Sequence, residues 1–99
     1  MITGKQRAYL RGLANKLEAT VYIGKFGLTE NTLKEMDNSL LNHEMVKVKI
    51  QESADLDSKE TANECAEILK AEFVQAIGRK FTLYRQAVDP EKKQIRLPK

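Results

Sequence analysis

A short β-branched run, Thr20-Val21-Tyr22-Ile23, ends in Gly24-Lys25-Phe26-Gly27, and Leu28-Thr29 then opens a helical pattern. A strand that becomes a helix within four residues commits this part of the chain to a strand–loop–helix unit, and hence to a sheet with helices packed on it. The two glycines remove the side chains that would hold a polyphosphate backbone away from the main chain. The amide N–H groups and positive dipole end of the new helix then face that backbone. Lys25 adds a charge at the loop tip and Phe26 an aromatic face, the chemistry of a loop that clamps a nucleic-acid strand. Two glycines three residues apart also occur in ordinary tight turns, so the segment reads either as a clamp or as a turn.

The rest of the chain repeats the alternation. Helix one is expected over about residues 3–18, with Thr3 and Gln6 as a capping box and Leu10, Leu13, Ala14 and Leu17 as its buried stripe. Arg7 and Arg11 lie one turn apart on one flank, Lys5 and Lys16 on the other. Strand one covers 20–23. Helix two is expected over 30–42, with Thr29 as N-cap and a Leu28–Leu33 staple. In strand two, 45–51, Val46, Val48 and Ile50 point one way and Lys47 and Lys49 the other, so one face is buried and one is wet. Helix three is expected over 58–72, capped by Asp57 with Glu60. Its buried side is Ala62, Cys65, Ala66, Leu69 and Phe73; its outer face is acidic, with Glu60, Glu64, Glu67 and Glu72. Strands three, 74–77, and four, 81–86, are joined by Gly78-Arg79-Lys80. The tail 91–99 is basic and mostly polar; Ile95 and Leu97 offer a short edge strand, and residues from about 88 are expected to be loosely held.

The order α-β-α-β-α-β-β predicts parallel pairing of strands one, two and three through right-handed crossovers, with strand four as a hairpin on strand three. The expected fold is α/β, a two-layer arrangement with a four-stranded mixed sheet, and residues 1–99 form one domain. Apolar residues make up 41% and charged residues 31%, with no apolar run long enough for a membrane span. No charged segment followed by an apolar stretch opens the chain, so no secretory leader is expected. A single cysteine, Cys65, cannot form an internal disulfide and fits a reducing cytoplasm. The net charge of +3 is unevenly spread: residues 1–27 carry +4, residues 28–78 carry −6 and residues 79–99 carry +5. Basic ends around an acidic middle suit a molecule with one phosphate-binding face.

Three blocks resemble the YhbY-type CRM domains (chloroplast RNA splicing and ribosome maturation). They are Gly24-Lys25-Phe26-Gly27-Leu28-Thr29, His43-Glu44-Met45-Val46-Lys47-Val48-Lys49, and Val74-Gln75-Ala76-Ile77-Gly78 followed by Leu83-Tyr84-Arg85. The resemblance implies a fold similar to the C-terminal domain of translation initiation factor three, with strand order one-two-four-three. It also implies RNA binding and association with precursors of the large ribosomal subunit; in plant relatives the domain serves intron splicing. Phe26 departs from the family pattern, which usually carries a small or polar residue there. It either stacks on an unpaired base or packs back onto the protein.

On that topology Lys5, Arg7, Arg11, Lys25, Arg79 and Lys80 are expected to converge at the Gly-x-x-Gly end of the sheet, with Arg85 near the opposite end. The RNA-binding set is therefore Gly24, Lys25, Phe26, Gly27, Lys5, Arg7, Arg11, Arg79, Lys80 and Arg85, contacting mainly backbone phosphates. The expected partners are precursor ribosomal RNA, the pre-ribosomal particle and ribosomal proteins. No cofactor, small-molecule substrate or membrane is expected. Catalysis has little support: His43 is the single histidine, no Cys/His cluster has metal-ligand spacing, and Cys65 sits in an apolar helical pattern. The alternative is a protein adaptor, with the acidic face of helix three docking a basic partner.

Overall fold

The structure, a computed structural model, describes residues 2–99. Its elements are α1 (Gly4–Lys16), β1 (Val21–Ile23), α2 (Glu30–His43), β2 (Met45–Ile50), α3 (Ser58–Leu69), β3 (Glu72–Ile77) and β4 (Lys80–Tyr84), with a 3-10 turn at Pro90–Lys92. All three expected caps form, that of α3 by the Asp57 carboxylate accepting from the Glu60 N–H. Thr3 and Gln6 close a capping box on α1, and Thr29 accepts from the Thr32 N–H to start α2.

The sheet order is β1-β2-β4-β3. Only β1 and β2 pair in parallel; β4 inserts between β2 and β3 and is antiparallel to both. The expected direct parallel pairing of strand three is thus replaced by an antiparallel pair. The hairpin strand takes the place beside β2, as the resemblance implied.

Side-chain alternation separates two cores. Val46, Val48 and Ile50 of β2, with Phe81 and Leu83 of β4, pack against Met36 and Leu40 of α2 and Ala62 and Cys65 of α3. On the other face, Met45, Val74 and Tyr84 pack against Leu10 and Ala14 of α1. The sheet with α2 and α3 makes the two layers read from the sequence, and α1 adds a third, partial layer. An irregularity between Phe73 and Gln75 turns both Val74 and Gln75 toward α1.

Helix α3 is shorter than expected. It stops at Leu69 because Lys70 takes a left-handed conformation, φ 55°, and its N–H returns to Ala66 and Glu67. Glu72 and Phe73 therefore belong to β3, and Phe73 packs on the core from the strand. Ile95 and Leu97 form no edge strand; both lie against the α1 cluster. Three N–H groups of the segment after β4, at Ala87, Gln94 and Ile95, donate to the Glu44 carboxylate at 2.7, 2.6 and 2.8 Å. With these amides committed to a side chain, the segment has less to offer a ladder.

Candidate nucleic-acid interface

The Gly-x-x-Gly segment forms a four-residue turn, with the Gly27 N–H donating to the Gly24 carbonyl at 2.9 Å. Gly27 has φ +71°, a conformation that disfavours any side chain, and a Cβ on Gly24 would sit 3.3 Å from Gln51 Oε1. Lys25 and Phe26 occupy the tip. Phe26 is 81% exposed, so the side chain does not pack back onto the protein. The Lys25 ammonium lies over its ring, 5.2 Å from the centroid. A cation held beside an exposed aromatic pairs a phosphate contact with a stacking surface. Glu30, in the first turn of α2, places one carboxylate nearby.

The β3–β4 hairpin lies at the same end. Gly78 takes φ +60° at the first loop position, where a two-residue hairpin favours glycine. The Ile50 N–H donates to the Arg79 carbonyl at 2.7 Å, and the Gln51 N–H to Ile23 at 2.8 Å. These bonds tie the hairpin, the end of β2 and the exit of β1 together. Arg79 and Lys80 are exposed, and so is Lys49, the register partner of Lys80. The sequence marks Lys49 only as a wet strand position; its alternation is the signal, and the strand order supplies the location. The turn before α3, which carries Asp55 and Asp57, lies here too, since Ser58 Oγ donates to the Gly78 carbonyl at 2.7 Å.

Lys5, Arg7 and Arg11 do not converge on this end. The Ile2 N–H donates to Glu72 and Arg7 Nε to the Phe73 carbonyl, so α1 begins at the start of β3, opposite Gly78. From there it crosses the sheet, reaching Gln75 through Asn15 and Lys47 through the Ala14 carbonyl. Convergence would require α1 to run back antiparallel to β1. The extended segment from Leu17 to Thr20 frees the helix from that constraint, and the apolar face formed by Met45, Val74 and Tyr84 sets its course. Arg7 is half-buried; Lys5 and Arg11 are exposed.

Arg85 also lies at the far end, and it is bonded within the protein. Its guanidinium donates to the Leu69 carbonyl at 2.8 Å and the Asp37 carbonyl at 3.3 Å, and pairs with the Asp37 carboxylate at 2.9 Å. It ties the end of β4 to α2 and α3.

Sequence reasoning missed Glu44. It is fully buried at the C-cap of α2 with φ 65°, a position that usually takes glycine or asparagine. Burial alone would raise its pKa, but the three N–H donors and nearby Lys93 outweigh it and hold the carboxyl below its ordinary value. Nothing in the sequence beyond one acidic residue between helix and strand marks it.

Burial, with Glu64 nearby, pushes the Cys65 thiol up to about 12, which suits a core residue rather than a nucleophile. Among the described residues no three His, Cys, Asp or Glu side chains come together to hold a metal, and no helix is long and apolar enough to cross a membrane.

Residues 2–85 match the CRS1/YhbY (CRM) domain family. An RNA-binding protein of Haemophilus influenzae is 39% identical over 99 residues, covering 99% of this chain and 96% of its own. YqeI of Bacillus subtilis, described as a probable RNA-binding protein, is 33% identical, covering 99% of this chain and 100% of its own. The solution structure of SAV1595 from Staphylococcus aureus, described as a candidate RNA-binding protein, superposes with a TM-score of 0.82. It is 40% identical and covers 99% of this chain and 100% of that one.

Proposed function

The chain belongs to the CRS1/YhbY (CRM) domain family of RNA-binding proteins, and from that premise we propose that it grips single-stranded RNA at the loop end of its sheet. One observation carries the proposal: Phe26 stands 81% exposed beside Lys25 on a glycine-bounded turn. A large exposed aromatic at a loop tip gives nothing to the core, whereas every base has a face to stack on it. Lys25, Lys49, Arg79 and Lys80 supply the phosphate contacts, and the loop backbone lies close enough to join them. The protein works without catalysis. The family resemblance supports the finer part, in which the RNA is the ribosomal RNA precursor of the large subunit, bound in the cytoplasm within a pre-ribosomal particle.

Replacing both Gly24 and Gly27 with Asp tests the loop. The new carboxylates repel phosphate and fill the space beside the backbone. RNA binding is lost while circular dichroism stays native, with a strain of about 1 kcal/mol at position 27. Unchanged affinity in the folded variant reduces the loop to a turn. The adaptor reading keeps Glu60, Glu64 and Glu67, which are exposed on α3, but loses Glu72 to β3. It is favoured if the purified protein ignores protein-free RNA and retains a basic protein partner.

A further inference from the structure

Helix α1 covers only the half of its sheet face that carries Met45, Val74 and Tyr84. On the uncovered half, the strand register sets Tyr22, Lys49, Lys80 and Ile77 in one row across all four strands, and all four are exposed. Between this row and α1 lies a depression of about 220 Å³, lined by Asn15, Lys47, Gln75, Ile77, Lys80 and Thr82. It is smaller than the ~300 Å³ or more of a pocket for a drug-sized ligand. That size suits one compact group.

The chemistry of the lining points to an anion. Thr82 is fully buried, and its hydroxyl has no hydrogen-bond partner among the described residues. Native interiors rarely leave such a group unpaired. Lys47 gives one donor to the Ala14 carbonyl at 3.0 Å and keeps two more. Gln75 Nε2 donates to Asn15 Oδ1 at 3.0 Å, which leaves the Asn15 amide N–H groups to donate elsewhere. Lys80 faces no carboxylate within salt-bridge distance; the one ion pair among the described residues joins Arg85 and Asp37. Lys80 stands directly opposite Lys49, and like charges in that position destabilise a sheet. A local rule broken without compensation inside the fold is a mark of a functional site.

We propose that this depression is a phosphate subsite that holds one backbone phosphate of the bound RNA. The Asn15 amide and the ammonium groups of Lys47 and Lys80 donate to its non-bridging oxygens, and the Thr82 hydroxyl, sealed beneath the lining in the unbound protein, joins them once the lining side chains part. The subsite rests on the RNA-binding function proposed above and extends it. Lys80 lines the depression and follows Arg79 in the β3–β4 hairpin, so a strand held at the loop end reaches the depression along Lys49 and Lys80.

The test uses the full chain labelled with nitrogen-15 and two probes, inorganic phosphate and single-stranded oligouridylate. Both probes shift the side-chain amide signals of Asn15 and Gln75, and oligouridylate also shifts Gly24 to Gly27. Thr82→Val weakens oligouridylate binding about fivefold, as for the loss of one hydrogen bond, and leaves the salt dependence unchanged. Its urea midpoint stays the same or rises, because an unpaired buried hydroxyl is gone. Lys80→Gln flattens the log–log salt slope by about 0.7. If oligouridylate shifts the loop but not Asn15 and Gln75, the subsite is refuted and RNA binding stands. Shifts with inorganic phosphate alone also refute it, leaving a free-anion site. If oligouridylate moves no signal, RNA binding itself fails and the subsite with it.

Discussion

The two ends of the sheet carry similar residues in opposite states. At the loop end, Lys25, Lys49, Arg79 and Lys80 are exposed, and Phe26 beside them is almost fully in water. At the other end, Arg85 holds two carbonyls and a carboxylate, and buried Glu44 accepts from three backbone N–H groups. A charge that already has its hydrogen bonds maintains the fold, whereas one that lacks them is available to a ligand. The distinction follows from energetics. Breaking a buried hydrogen bond to a charge exposes an unsatisfied partner, while an exposed cation gives up little by changing partners.

The sharpest way to separate the ends is to damage the bonded one. Glu44→Ala leaves the N–H groups of Ala87, Gln94 and Ile95 without their acceptor and lowers stability by about 3 kcal/mol, read from a urea midpoint. The folded fraction keeps its affinity for RNA. The same carboxylate predicts a pH effect. Its folded pKa lies below the ordinary 4.5, so its contribution is complete above that value and is lost as pH falls through the folded pKa. Glu44→Gln removes this part of the acid sensitivity. A variant whose acid unfolding matches the parent's shows that the Glu44 carboxylate contributes nothing.

Arg85→Ala comes next in size. It removes the guanidinium from Leu69 and Asp37 and lowers stability by about 2 kcal/mol, without changing RNA affinity at a temperature where the variant is folded. A loss of affinity with native stability would return Arg85 to the RNA-binding set expected from the sequence and blur the difference between the ends.

Phe26→Ala works from the other side. The ring is exposed, so the urea midpoint barely moves. Affinity for single-stranded RNA falls roughly tenfold, within the range for losing one base stack, and the salt slope is unchanged because no cation is removed. A destabilised variant with near-normal affinity would mean that the ring packs on the protein in solution.

Features written in local sequence were legible in advance. The N-caps at Thr3, Thr29 and Asp57 and the glycine turn depend on residues a few positions apart, and each formed where it was read; β2 alternates as read, but α1 covers Met45 and half-buries Lys47 on the face expected to be wet. The end of α3 was not legible, because Phe73 continues the i, i+4 spacing from Leu69 while the chain has already turned at Lys70. Nor was the path of α1. An amphipathic stripe shows that a helix is buried but not which sheet face it covers, and that choice carried Lys5 and Arg7 to the far end. The role of Glu44 depends on amides more than forty residues away, which no local pattern encodes.

The contrast between the two ends is tested most directly by the salt dependence of RNA binding. Four loop-end cations on single-stranded phosphates give a log–log slope of about −3, or steeper if Lys47 also contributes, from roughly −0.7 per contact. Changing Lys25, Arg79 and Lys80 together to Gln flattens the slope by about 2, and Arg85→Gln leaves it where it was. An unchanged slope in the triple variant, or a flattened one in Arg85→Gln, would contradict the assignment of RNA binding to the loop end.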